Sequence, residues 1–335
     1  GDIRTFLAGE GKASANYQLA QIAILLQAMY PAKCRLSTAV DISELPRNGR
    51  WCMSSYEKEK LRISTNLYAQ NNSLQRKHNN TVLEFCQPAF FAEPQSTMQV
   101  LDVGCGTGDF TRDFLLPRCL PCARLIGIDC SVDMIKYASR HSAHEKIEYE
   151  VLDIGEDVTE FISHRGRFDR VYSFYCLQWL KDQGSALKNI AALMAPGAQC
   201  VLVFPASHQP GAVWSLLAKM DRWAKYSKML LQFIVKSHYM VDKTEQMRYM
   251  STLLREAGLS PNIFVLPRLV TFDGWSEQAI VGAQMSLLPM NHLVTDDERA
   301  LLFDDVTTLV RKVHGPETDQ SIFRTYIIMA SKESG

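Results

Sequence analysis

The segment Val100–Asp109, V-L-D-V-G-C-G-T-G-D, constrains this chain more than any other. An apolar, β-branched run entering at Met98 ends in Asp102 and then in three alternating glycines, Gly104, Gly106 and Gly108. Helix-forming sequence follows at once from Asp109 to Leu116, and Pro117 is expected to stop it. Strand, glycine turn and helix in that order open a nucleotide-binding α/β unit. Glycine is needed because the turn is tight and the backbone must approach a ligand more closely than a Cβ allows.

Spacing separates the candidate ligands. A dinucleotide turn reads G-x-G-x-x-G and seats a pyrophosphate on the helix N-terminus. Counted from Gly104, the third glycine falls on Asp109, whose carboxylate would repel a pyrophosphate. A nicotinamide dehydrogenase is therefore the least favoured enzyme class. The spacing D-x-G-x-G-x-G fits S-adenosylmethionine, which has no phosphate and carries an ammonium and a sulfonium. The second strand, Ala123 to Asp129, ends in an acid 21 residues after Gly108. An acid about 20 residues on, at that strand end, is where a ribose diol is held.

The rest of the chain repeats the βα alternation. Strands read at Gln99–Val103, Arg124–Asp129, Glu148–Asp153, Arg170–Phe174 and Cys200–Phe204, with helices near Phe110–Leu116, Val132–Ser142, Thr159–Ser163 and Ser185–Leu193. That alternation predicts an α/β fold with a parallel sheet covered on both faces. After Pro205 the period turns helical through residue 257, and a lid is expected over about 207–258. A strand near Asn262–Leu269 follows. Thr295 and Glu298 form a capping box for a helix over Asp296–Val313, ended by Gly315, and Phe323–Met329 is the final strand. Seven strands with the last antiparallel fit this order. Upstream, a helix is expected from about Leu67 through Phe85.

Composition sets the outer bounds. The 335 residues, 47% hydrophobic, suffice for one large domain with a lid. Residues 1–52 carry no clear strand or helix-pairing pattern and read as a disordered N-terminal extension to a domain over 53–335. Lys plus Arg total 36 and so do Asp plus Glu, which lacks the basic excess of a nucleic-acid partner. The apolar stretch Leu19–Tyr30 falls well short of the ~20 residues that span a bilayer, so no membrane insertion is expected. Nine scattered cysteines read as reduced thiols in a cytoplasmic protein. Cys119 and Cys122 form a C-x-x-C with no second pair, so no metal site is expected. His141 and His144 read as solvated, and the sequons at Asn71 and Asn79 as chance matches.

Two further stretches carry a family resemblance. Leu67-Tyr68 with Asn72 and Gln75, and Ser173-Phe174-Tyr175-Cys176-Leu177 followed by Trp179, resemble the juvenile hormone acid O-methyltransferases of arthropods. The similarity runs from about Tyr68 to Ser331. It implies a seven-stranded Rossmann-like class I methyltransferase fold, S-adenosyl-L-methionine as cofactor and a farnesoic-type acid converted to its methyl ester. The family's substrate-facing Gln matches Gln75 and its Trp matches Trp179. The family usually has His immediately before that Trp, where this chain has Gln178. A Gln-Trp pair also resembles methyltransferases of small or carrier-bound carboxylic acids.

The expected chemistry is positional. A carboxylate is ionised at pH 7, with an ordinary pKa near about 4, so no catalytic base is required. Gln75 and Trp179 offer neutral N–H donors to one carboxylate oxygen, and Gln178 is a further candidate donor. Tyr68 joins this substrate set, and Tyr175 stands where cofactor and substrate meet. On the cofactor side, Gly104 and Gly106 give room to the methionine part, and Asp102 is expected to reach the ammonium. Asp129 accepts the ribose hydroxyls, Cys130 and Met134 border the adenine, Asp153 accepts its amino group and Ile154 packs on its ring. Each of these residues has a plain structural reading beside the functional one, as a cap, a strand end or core. A cofactor-binding pseudoenzyme is the alternative from outside the enzymes.

Overall fold

The computed structural model describes residues 63–207, 209–267, 276–314 and 324–333. The expected extension over 1–52, the helix stop at Gly315 and the start of the last strand at Phe323 lie outside the described residues. The order of elements is α1 (Thr65–Asn71), α2 (Ser73–Cys86), β1 (Gln99–Val103), a π-helical turn (Thr111–Leu115) running into α3 (Leu116–Cys119), and β2 (Arg124–Asp129). There follow α4 (Val132–His141), β3 (Ile147–Val151), α5 (Thr159–Arg165), β4 (Phe168–Phe174), α6 (Gln183–Leu193) and β5 (Met194–Pro205). The remainder is α7 (Gln209–Leu217), α8 (Ser227–Gln232), α9 (Lys243–Glu256), β6 (Leu259–Val265), α10 (Glu277–Leu287), α11 (Asp296–His314) and β7 (Thr325–Lys332).

The seven strands form one sheet in the order β3-β2-β1-β4-β5-β7-β6. Strands β1 to β5 pair in parallel, and β7 runs antiparallel between β5 and β6. The chain winds outward from β1 to β3 and then returns to the other side of β1 as β4. That reversal leaves a crevice beyond the carboxyl ends of β1 and β4, where open α/β sheets bind ligands.

Alternate residues of each strand feed opposite faces, as a period of two requires. Val100, Val201, Val203, Ile327 and Met329 pack with Val82, Leu83 and Leu115 on one face. Leu101, Val103, Leu202, Phe204 and Ile328 pack with Leu187, Ile190, Met250 and Leu254 on the other. Both faces are dry, which explains why the strands read as nearly unbroken apolar runs.

The stretch expected to form a lid divides in its packing. Helices α7 and α8 join α10 and α11 in a third apolar cluster centred on Trp214, Trp223, Met285 and Val306. Helix α9 instead lies against α6 and β6, with Met250 and Leu254 in the sheet's own core. The capping box at the start of α11 is formed in both directions, Glu298 N–H to Thr295 Oγ1 at 3.3 Å and Thr295 N–H to Glu298 Oε2 at 3.1 Å.

Four local expectations are corrected. Pro117 does not stop the helix after the glycine turn. The π-helical turn over Thr111–Leu115 widens the helix just before the proline, and the chain continues through Pro117 to Cys119. A π turn relieves the crowding that a proline ring creates against the preceding carbonyls of a regular helix. Strand β3 ends at Val151, which puts Asp153 in the following turn, where its Oδ1 accepts the Gly155 N–H at 3.0 Å. The single helix expected over 67–85 is broken at Asn72 into α1 and α2. The strand expected near 262–269 begins earlier, at Leu259. His141 and His144 are exposed, as read, and Asn79 is only 4% exposed, so its sequon is inaccessible in the fold.

Trp223 tests the third cluster. It is fully buried, and its indole N–H donates to Asp305 Oδ2 at 2.8 Å, tying the turn before α8 to α11. Trp223→Ala removes the ring and leaves that carboxylate short of a donor. It should cost about 3–5 kcal/mol in denaturant unfolding, whereas a loss below about 1 kcal/mol would show that the cluster relaxes around the gap.

Candidate active site

The site begins at the turn leaving β1. Gly104 and Gly108 have φ of 78° and 73°, in the left-handed region. A Cβ on Gly104 would lie 2.5 Å from the Cys176 Cβ and 2.7 Å from its sulfur, so the turns leaving β1 and β4 meet with no room for a side chain. A Cβ on Gly108 would lie 2.6 Å from the Tyr149 hydroxyl. The glycine turn is thus clamped from the β4 side and the β3 side alike.

Two acids brace this turn. Asp129, at the end of β2, accepts the Gly106 N–H through Oδ2 at 3.0 Å and the Ser131 N–H through Oδ1 at 2.8 Å. Each carboxylate oxygen keeps a lone pair for a further donor. Burial raises its pKa above the usual carboxylate range, against the opposing effect of those two N–H groups. Asp102, on β1, is 3% exposed and accepts from the Thr111 hydroxyl at 2.6 Å. Burial pushes its pKa up to about 7, Thr111 opposes this, and the negative charge of Asp129 adds to it. A buried acid and a half-buried one beside an open backbone turn suit a ligand with a cationic end and a diol.

The remaining cofactor candidates sit around the same edge. Ser131 caps α4 by accepting the Met134 N–H at 3.3 Å, and Met134 is buried at the first turn of that helix. Cys130 is half-buried between Asp129 and this cap. Ile154 is buried after β3, and its carbonyl accepts from Asn189 at 2.9 Å.

The substrate candidates approach from α1, α2 and the end of β4. The Tyr68 hydroxyl donates to Gln75 Oε1 at 3.1 Å, and a Cβ on Gly106 would lie 3.5 Å from the Tyr68 ring. Tyr68 therefore covers the glycine turn, and its bond turns the Gln75 amide so that the NH2 is the free end. Tyr175, the residue after β4, has φ of 52°. That conformation is strained for a side chain of its size, and such strain concentrates at functional sites. Trp179 stacks on Trp214 of α7 with centroids 5.5 Å apart, which joins the β4 end to the third apolar cluster.

Gln178 lies beneath Tyr175. It is 1% exposed, and its Nε2 donates to the Tyr175 carbonyl at 2.7 Å. A carbonyl only accepts, so the amide orientation is fixed and one of its two N–H groups is engaged. Gln178 supports the strained Tyr175 through that bond.

Sequence reasoning missed two residues here. Asp109, read only as a missing glycine, accepts from Asn72 Nδ2 at 3.0 Å and from Thr107 Oγ1 at 2.6 Å, and pairs with Arg76 at 2.8 Å. These bonds fasten α2 across the glycine turn and set Gln75 between its two anchors. His78, one helical turn beyond Gln75, contacts Tyr175. The signal was present in the polar residues at Asn72, Gln75, His78 and Asn79, which recur at helical spacing ahead of the apolar Val82, Leu83 and Cys86. Among the described residues no group of three or more His, Cys, Asp or Glu side chains could hold a metal ion, no helix is long and apolar enough to cross a membrane, and the seven described cysteines are free thiols.

Comparison with known proteins agrees with this geometry. A family profile described as a methyltransferase domain matches residues 74–260. A juvenile hormone acid O-methyltransferase of Drosophila melanogaster is 34% identical over 220 residues, covering 62% of this chain and 70% of that protein. One of Bombyx mori is 28% identical over 197 residues, covering 59% and 69%. A malonyl-[acyl-carrier protein] O-methyltransferase of Acetivibrio thermocellus is 33% identical over 117 residues, covering 35% of this chain and 38% of its own.

Asp109→Ala removes the acceptor shared by Asn72, Thr107 and Arg76. Hydrogen bonds to charged groups contribute about 1.5–3 kcal/mol, so amides in residues 65–86 should exchange about ten- to a hundredfold faster. The strands should keep their protection. Unchanged exchange in α1 and α2 would show that apolar packing alone holds them.

Proposed function

The chain belongs to the juvenile hormone acid O-methyltransferase-like family of methyltransferase-domain proteins, S-adenosylmethionine-dependent carboxyl O-methyltransferases, and from that premise we propose that its acceptor is a lipophilic, farnesoic-type acid, converted to the methyl ester. The observation that carries the reading is the place of Trp179. It follows β4 at the crevice, and its ring stacks on Trp214 of the apolar helical cluster, so one side chain links a polar donor to a surface suited to a hydrocarbon chain. Trp214, Met220 and Met229 of that cluster adapt well to an extended apolar ligand.

Bound at the glycine turn, S-adenosylmethionine supplies an electrophilic methyl carbon. The residues of this chain that would hold it are Asp102 for the ammonium and Asp129 for the ribose hydroxyls, with Gly104 and Gly106 at the turn. Cys130, Met134, Asp153 and Ile154 would surround the base. The acid arrives ionised, so the protein has no proton to move. Gln75 through its free NH2 and Trp179 through its indole N–H orient one carboxylate oxygen, while Tyr68 and Tyr175 wall the space between the two ligands. Orientation of this kind contributes roughly 7–11 kcal/mol to lowering a bimolecular barrier. Neutral donors suit the task because a cation would hold ground state and transition state alike and reduce the nucleophilicity of the oxygen.

A small or carrier-bound acid is the second reading. Gln178 in place of the family's His favours it, as does the likeness to the malonyl-carrier enzyme. Because the Gln178 amide bonds the Tyr175 carbonyl, the substitution to His would also shift the position of that ring.

Trp179→Phe keeps most of the ring and deletes the N–H. Acid turnover should fall about tenfold or more while S-adenosylmethionine affinity stays within about twofold. Equal turnover would reduce Trp179 to packing. Kinetics of the parent and of Gln178→His on farnesoic-type and short acids separate the two readings: parent preference for short acids, reversed by the substitution, would favour the second.

The pKa of Asp102 gives a pH test. Folding raises it from 3.8 to about 7, so its contribution to stability is present at low pH and is lost as pH rises through about 7. A bound ammonium favours the ionised carboxylate, so binding below that pH releases a proton. Affinity for S-adenosylmethionine should therefore rise as pH climbs from about 5.5 toward about 7, by up to about tenfold per unit. Calorimetry on Asp102→Asn should show this slope abolished. A slope that persists in the variant would assign it to another group.

A further inference from the structure

Helix α2 changes character along its buried face. Its last two turns place Val82, Leu83 and Cys86 in the sheet core. One turn earlier the same face is polar, with Asn79 only 4% exposed and His78 half-buried beside it. Then come Gln75 and the anchor Asn72. A buried helix face that turns polar needs polar partners, because an unpaired buried donor or acceptor costs stability. In this stretch Asn72 Oδ1, His78 Nε2 and Asn79 Oδ1 are all buried and find no hydrogen-bond partner among the described residues. Of these three atoms only the His78 nitrogen can carry a proton to donate to an anion, since the two amide oxygens only accept.

His78 is the one of the three that is held as a site residue is held. Its Nδ1 lies 3.1 Å from the Tyr175 hydroxyl, and the two rings meet edge to face at 5.7 Å. Tyr175 is the strained residue after β4, and Gln178 grips its carbonyl. The imidazole is therefore fixed against the crevice on one side. On its own helix it stands three residues from Gln75, on the same face.

We propose that His78 is a third donor to the acceptor carboxylate, binding it through Nε2–H beside Gln75 and Trp179. This rests on the carboxyl methyl transfer argued above. With the Tyr175 O–H donating to Nδ1, the single proton of a neutral imidazole sits on Nε2. Burial lowers the His78 pKa to about 4, so the ring is neutral across the physiological range. A neutral imidazole donates without placing a cation against the nucleophilic oxygen, in keeping with the amide of Gln75 and the indole of Trp179. Neither tyrosine nor imidazole changes protonation during the transfer.

Three substitutions separate the donor from a merely structural role. His78→Phe keeps the ring volume and removes both nitrogens. His78→Asn retains a polar group near Nδ1, and His78→Gln retains one near Nε2. Steady-state kinetics with a farnesoic-type acid and calorimetric binding of S-adenosylmethionine are read for each. The expected result is a KM for the acid about ten- to a hundredfold higher in His78→Phe and His78→Asn. His78→Gln should recover most of the loss, with cofactor affinity unchanged in all three. Should His78→Phe fail to fold, the contrast between Asn and Gln still decides. Rescue by Asn equal to that by Gln, or an unaltered KM in His78→Phe, overturns the proposal and leaves the methyl-transfer reading standing. A parent enzyme that makes no methyl ester from any acid overturns both.

Discussion

Everything in this site depends on the close approach of two backbone turns, one leaving β1 and one leaving β4. Gly104 and Cys176 come so near that a single added Cβ would fall 2.5 Å from the cysteine Cβ. The reversal of strand order brings the turns together, and the left-handed glycine lets them stay there. From this contact the rest is placed. Asp129 reaches across from β2 to the Gly106 amide, Tyr175 follows at the β4 end, and Asp109 presents its carboxylate to α2.

Much of this was legible in the sequence, because backbone constraints leave clear marks. The glycines, the acids at the ends of β1 and β2, and the bounds of those two strands follow from spacing. Seven strands with an antiparallel last member follow from the βα count. What escaped were features set by particular side-chain contacts and local backbone geometry. Asp109 looked like an absence, a missing glycine, until Asn72 and Arg76 were seen to need it. The bond of Gln178 to the Tyr175 carbonyl, which orients its amide, has no sequence signal. Pro117 looked like a stop because the π turn that accommodates it has no simple local signature. The lid stretch read as one helical unit, whereas α9 is bound by its apolar stripe to α6 and β6.

The electrostatics divide the crevice into two halves. Around the glycine turn, burial raises the pKa of both Asp102 and Asp129, an arrangement that favours a cationic partner. Toward α2 and Trp179 the groups that face the acid in this account are neutral: an amide, an indole and an imidazole whose proton affinity burial suppresses. Acids set for an ammonium and a ribose on one side, and neutral donors for an anion on the other, form a charge pattern that suits methyl transfer from a sulfonium to a carboxylate. It brings the charged reactants together without giving either one a stronger partner in the protein than it finds in the other.

The most direct test of that account is the chemical nature of the methylated product. The full chain would be incubated with S-adenosylmethionine labelled in its methyl group and with a farnesoic-type acid, and the product then treated with alkali. A carboxyl methyl ester is cleaved and releases its label as volatile methanol, whereas methyl ethers and methylamines do not. The account predicts acid-dependent label recovered as methanol. Label that is transferred but stays alkali-stable, or no transfer to any carboxylic acid, would contradict it.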